Sequence, residues 1–273
     1  MGKGLAVEVF DKLPAVVDEL VKSFDSTPAF GNLGFGITQY SFWLYLSCIL
    51  LLILMAVFTK AQAKSLAPKG KFVNGMELLI EFVRDDLCIG MLGRDKWRKH
   101  FPYIATLFFF VLVNDVVGIV PGMHPGTGTI GTTAALALVS FIYFIWMGVK
   151  AKGGWGYLKS LAPEGLPLPL ALLVWVIEIF STLLRPITLA IRLFCNMYAG
   201  HIVMGTFAVL ASMFFQPLLT AFNPANAAGS LASIAWVLVL IIIYLVEMLV
   251  AAIQAYVFTL LTAVYINSAE EGD

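Results

Sequence analysis

The sequence predicts an all-α integral membrane protein with about five membrane-crossing helices, the last two long and strongly tilted as an antiparallel hairpin, plus one amphipathic surface helix. Three observations predict it. The chain is 60% hydrophobic and 12% charged with mean hydropathy +0.91, against about a quarter charged in soluble domains, so lipid is the solvent for most of it. Its apolar residues gather in runs long enough to cross a bilayer. Its lysines and arginines gather in alternate connections. A net charge of zero argues against a polyanion such as nucleic acid as partner. Cys48, Cys88 and Cys195 show no CxxC or Cys/His spacing, so no metal site, disulfide framework or cofactor is expected. The whole chain, 1–273, reads as a single membrane domain without repeats.

Residues 1–40, where five acids from Glu8 to Asp25 mix with three lysines, read as an external N-terminal segment with no cleaved signal. Residues 41–59 hold nineteen residues without a charge and form the first crossing, because roughly 20 residues span a core about 30 Å thick. In 72–92, Met76, Leu79, Ile80, Val83 and Leu87 recur at helical spacing, with Glu77, Glu81, Arg84 and Asp85 on the other side. Such a helix lies along a membrane surface or a partner. Residues 101–121 and 129–149 are the next two crossings, joined by the uncharged "PGMHPGTGT". The tilted hairpin comprises 166–216 and 230–266, separated by "PLLTAFNPANAAG".

Orientation follows from the basic residues. Lys60, Lys64, Lys69, Lys71, Arg94, Lys96, Arg98, Lys99, Lys150, Lys152 and Lys159 all fall in connections on one side, and 121–129 and 217–229 hold none. That side is expected to be cytoplasmic, or the matrix or stroma of an organelle, leaving the N-terminus outside and "SAEEGD" inside. The count holds only if each long segment crosses once. Fifty-one residues make a helix of about 76 Å, so the segment is either two crossings or one steep helix. Two crossings would put Arg185 and Arg192 in an outside loop, and the steep helix is the favoured reading.

Along that helix the polar residues are ordered. Glu178, Arg185 and Arg192 are seven apart, which drifts only about 20° per step around a helix, and Ser181, Thr182, Thr188 and Asn196 lie in or beside the stripe. Arg185 can snorkel to the interface. Arg192 lies deep, cannot shed its proton, and costs on the order of 2.5–3.5 kcal/mol at mid-membrane. Glu178 is about 21 Å along the same helix, so a carboxylate from another subunit is the sharper candidate for its counter-charge. In an antiparallel hairpin, pairing Arg192 with Gln254 and His201 with Glu247 sets the turn at Asn223 or Pro224. Arg192 and His201 nonetheless fall on opposite faces of a straight helix, so both contacts require curvature or crossing.

"LRPITLAIRLFCNMYAGHIV", with "IQAYVFTLLTAVYI" and "NGMELLIEFVRDDL", resembles subunit a of the F-type ATP synthase from about residue 40 to the end. The resemblance implies that Arg192 faces the essential carboxylate of a rotating ring of c subunits, that b subunits of a peripheral stalk are partners, and that Gln254, Asn196 and Glu178 hold the family's polar positions. Where many bacterial members have Glu then His, this chain has His201 and Glu247. Cys195 replaces a usual Gly. Asp115, where Asn is general, either widens the polar lining or sits solvated near the interface.

The implied activity is proton transport coupled to ATP synthesis, by a non-catalytic subunit of a bacterial plasma membrane. The resemblance implies one half-channel with His201 and Glu247, for which Asp115 and Asn196 are further candidates, and another with Glu178 and Ser181. No GxxxxGK[ST] loop is present. A proton-coupled antiporter or a respiratory-complex subunit is the rival reading, and it expects inverted repeats and membrane lysines, which the sequence lacks.

Overall fold

Backbone amides have no water to bond to in lipid, so each apolar run must satisfy its own hydrogen bonds, and a helix does so within one segment. The computed structural model describes residues 13–19, 22, 28–30, 37–63, 70–160, 168–220 and 224–271, and nearly all of them are helical. Most of the external segment assigned to 1–40, Lys64, Lys69 and the last two residues lie outside the described set.

A short antiparallel pair, β1 (Pro28–Phe30) and β2 (Ile37–Thr38), precedes the first helix. Thr38 then starts α1 (Gln39–Ala63): its Oγ1 accepts the backbone N–H of Ser41 at 3.2 Å, an N-cap bond that satisfies one orphan donor of the first turn. Leu52 and Ile53 lie exposed on α1, as lipid solvation permits.

The amphipathic segment forms α2 (Lys71–Phe82), followed by a π-helical turn at Val83–Ile89 and then α3 (Gly90–Ile119). The wider turn brings Val83, Leu87 and Cys88 all to the buried side, while Glu81, Asp85 and Asp86 stay exposed. Gly93, at φ 78° and ψ 170°, breaks the rod. That backbone region is open to glycine at little cost, and it separates the amphipathic part from the crossing.

α4 (Ile130–Lys152) starts on a Thr129 cap and ends at Gly153, whose N–H donates to Val149 O at 2.8 Å. The short α5 (Gly154–Ser160) follows. The hairpin is α6 (Leu168–Thr220) and α7 (Pro224–Glu271), with only 221–223 between them, so the expected midpoint at Asn223 or Pro224 holds. The arms outrun the apolar stretches because alanine, serine and asparagine continue the helix where hydropathy falls.

α7 lies along α6 and α3, and α4 packs on both arms of the hairpin. The main core gathers Val83, Leu87, Ile104, Val111, Phe144, Leu193, Phe258 and Ile266. A second cluster, Ile119, Met197, Met204 and Ala251, ties the end of α3 to the middle of the hairpin. Five helices are long and apolar enough to cross a membrane.

Candidate functional site

On α6 the buried positions Leu189, Ala190, Leu193, Met197, Gly200 and Met204 recur at helical spacing, and this face meets the rest of the fold. Arg192, Cys195, Ala199 and Val203 form an exposed face beside it. The sequence therefore sets Arg192 on the flank of the hairpin, turned away from its own chain.

The two arginines have opposite surroundings. Arg185 donates from Nη2 to Glu178 Oε1 at 2.8 Å, two turns back, and its guanidinium lies 5.0 Å from the centroid of the Tyr265 ring, a cation–π distance. Among the described residues Arg192 makes no ion pair and no hydrogen bond. The acid expected in the second half-channel is thus held by Arg185. Ser181 lies beside that pair in an open groove lined by Ile177, Phe180, Leu184, Arg185 and Thr188.

The register expectation pairs Arg192 of α6 with Gln254 of α7, and the two differ in exposure. Gln254 is 6% exposed, buried among neighbours of α7, and its Nε2 has no hydrogen-bond partner among the described residues. Gln254 is thus buried in the fold, and Arg192 is exposed on the flank. Asn196, one turn from Arg192, is half-buried between the two faces.

At the second register position the helices nearly touch. A Cβ built on Gly200 would overlap the Glu247 carboxylate, with Cδ at 2.6 Å. Glu247 thus crosses to the backbone of α6 next to His201, through space that only glycine leaves open. His201 is half-buried there.

The neighbouring end of α3 adds more polar groups. Asp115 is 0% exposed. Thr127 Oγ1 donates to its Oδ1 at 2.7 Å, and Oδ2 has no hydrogen-bond partner among the described residues. Asp115 is therefore not a water-bathed interface residue. The loop 120–129 folds onto it: Gly126 sits so close that a Cβ would lie 2.5 Å from Asn114 Oδ1 and 2.9 Å from Leu44 Cα. The same loop carries His124, edge-on to Tyr40 at 5.6 Å between centroids and within electrostatic range of His201. The sequence reading missed His124, although a lone imidazole in an uncharged loop was a visible signal.

A second polar assembly at the basic end was also missed. His100, 0% exposed, sets Nδ1 3.1 Å from Tyr143 Oη and Nε2 3.2 Å from Glu270 Oε1. Lys99 donates to the same oxygen at 2.7 Å. Tyr143 stacks on Tyr103 at 3.9 Å, and Tyr103 Oη donates to Ser140 Oγ at 3.1 Å. No three metal-ligating side chains gather among the described residues.

The structure therefore separates the nominated residues into three places. His201, Glu247 and Asp115 lie around the lysine-free end, Glu178 and Ser181 lie toward the other, and Arg192 with Asn196 lies between them along α6. Imidazoles and carboxylates can carry protons; a guanidinium cannot release one.

These features define a polytopic all-α membrane protein with titratable side chains inside its spans and, on its flank, an exposed arginine without an ion pair among the described residues. Comparison with known families narrows this: residues 41–267 match the ATP synthase A chain family model. The chain is 35% identical over 237 residues to ATP synthase subunit a of Myxococcus xanthus, covering 87% of this chain and 74% of the relative. It is 32% identical over 265 residues to the subunit a of Hyphomonas neptunium, covering 96% and 99%. Against that of Zymomonas mobilis it is 36% identical over 249 residues, covering 88% and 90%. The chain belongs to the ATP synthase A chain family.

Proposed function

We propose that this chain is the static subunit of a rotary ATP synthase, passing protons through two aqueous half-channels to and from the carboxylates of a turning c-subunit ring. One observation carries the reading: Arg185 is answered by Glu178 and Tyr265 within the chain, and Arg192, seven residues on, has no counter-charge among the described residues. A fixed cation on an exposed lipid-facing flank requires an anion from elsewhere. If that anion moves, its protonation is controlled by position, because a nearby cation favours the ionised carboxylate and lipid favours the neutral one.

Protons enter from the lysine-free end, past Asp115, His201 and Glu247, with Asn196 near the ring, and neutralise a ring carboxylate. The neutral carboxylate rotates through lipid. At the far side it loses its proton into the second path, where Ser181 and Glu178 line the way to the basic end, and Arg192 draws the charged group past while blocking a direct leak. The transmembrane field supplies about 2.3 kcal/mol per charge per 100 mV. The basic connections argue for a cytoplasmic basic end and an outside N-terminus, in a bacterial plasma membrane, with b subunits of a peripheral stalk holding the chain still.

The test is Arg192→Ala in the purified synthase sealed in vesicles. ATP synthesis and ATP-driven proton pumping should vanish, with all subunits assembled and hydrolysis by the detached soluble sector retained. Synthesis at the wild-type rate contradicts the proposal.

A further inference from the structure

We propose that His124 is the outermost proton-relay residue of the inlet half-channel, receiving protons at the loop 120–129 and handing them inward toward His201, Glu247 and Asp115. The inference rests on the half-channel reading above and adds a residue that neither the motifs nor the hairpin register contains.

The geometry argues for it in three ways. First, the loop is held in place: Thr127 is bonded to buried Asp115, Gly126 abuts Asn114 and Leu44, and Pro125 is buried. His124 therefore stands on a fixed loop between water and the spans. Second, the imidazole is turned inward. Its Nδ1 is buried and has no hydrogen-bond partner among the described residues, and a buried polar nitrogen left unbonded is unfavourable, so the site invites water or a proton donor. Third, four elements contribute a titratable group to this end: Tyr40 from α1, Asp115 from α3, His201 from α6 and Glu247 from α7; the adjoining start of α4 contributes none. His201 lies within electrostatic range of His124.

Burial also holds the His124 imidazole below its ordinary range, so it stays neutral and receptive near neutral pH. The step is balanced simply. One ring nitrogen accepts a proton from hydronium, leaving water, the other releases its proton inward toward His201 or Glu247, and the ring is left neutral in the other tautomer.

The experiment uses the complete synthase in sealed vesicles, with ATP synthesis driven by an acid jump on the inlet side and the inlet pH varied. His124→Ala and His124→Gln should each slow synthesis by about tenfold or more, and should remove the imidazole-range rise expected of the wild type when inlet pH falls at constant total driving force. Added imidazole should restore His124→Ala relative to the wild type in the same imidazole. Unchanged rates and pH profile in both variants would overturn the inference, as would a loss in His124→Ala that imidazole does not restore while His124→Gln stays normal, since that marks packing alone. Arg192→Ala in the same vesicles separates the two levels. If it abolishes synthesis and His124→Gln is normal, only the relay falls; if it leaves synthesis intact, the half-channel reading falls and the relay with it.

Discussion

Glu247 reaches the backbone of α6 because Gly200 has no side chain to stop it. Adding one methyl group there would drive it into the carboxylate, whose Cδ lies 2.6 Å from the new Cβ position, and overpacking of this kind costs about 1–3 kcal/mol. Gly200→Ala should therefore lower both the thermal midpoint of the assembled synthase and its proton-driven ATP synthesis. Glu247→Asp, one methylene shorter, should recover part of the loss when combined with it. Recovery is the diagnostic result, since general damage to α6 would not respond to a change on α7. His201→Ala and Glu247→Ala should be no worse together than either alone if they form one relay, and additive losses in synthesis rate would show separate roles. At this scale the sequence showed which residues were unusual and not what they touch. Arg192 stood out because nothing near it in sequence could neutralise it. The Glu178–Arg185 pair was visible as a spacing of seven, but the third member, Tyr265, comes from the other arm.

Helix α7 is anchored at its far end by a carboxylate. Glu270 is only 6% exposed on its side chain and is shared by Lys99 and buried His100 of α3, with Tyr143 of α4 on the other ring nitrogen. The anchor fixes the axial position of a helix that also carries Glu247 and Gln254. Removing the carboxylate takes away the ionic partner that Lys99 and His100 share. Glu270→Ala should lower the thermal midpoint of the complex measurably, and Glu270→Gln, which retains an acceptor for Lys99, should lower it less; equal midpoints for both variants and the wild type would remove the anchor. None of this was legible beforehand, because Lys99 and Glu270 lie 171 residues apart and no periodicity links them. The crossings themselves were legible, since apolar length alone decides them. The π-helical turn at Val83–Ile89 and the break at Gly93 were not. Both adjust phase between two helices whose patterns the sequence shows separately, and the adjustment is set by the core that α2, α3 and α7 share.

For the molecule as a whole, the long hairpin turns one flank outward and buries the other against α3 and α4. The hairpin was readable because two apolar stretches too long for one perpendicular crossing flank a turn, and the approach of Glu247 to α6 beside His201 agrees with the sum of residue numbers. Which flank faces outward was not readable, since lipid solvates apolar residues on either side and hydropathy carries no direction. The basic connections predict a sidedness that labelling can check. A cysteine introduced at Gly122 should react with a membrane-impermeant reagent from outside intact cells, and one at Lys150 only after the cytoplasmic face is opened. The reverse pattern would invert the proposed path.

The central claim is that the flank bearing Arg192 meets a moving carboxylate of another subunit. Cys195 is exposed on that flank, one turn from Arg192, and with Cys48 and Cys88 replaced it becomes a native probe. The decisive measurement is disulfide formation between Cys195 and single cysteines placed one turn from the ring carboxylate in the assembled synthase. The account predicts an efficient crosslink that halts ATP-driven proton pumping and releases it on reduction; no crosslink at any such ring position, with the synthase fully coupled, would contradict it.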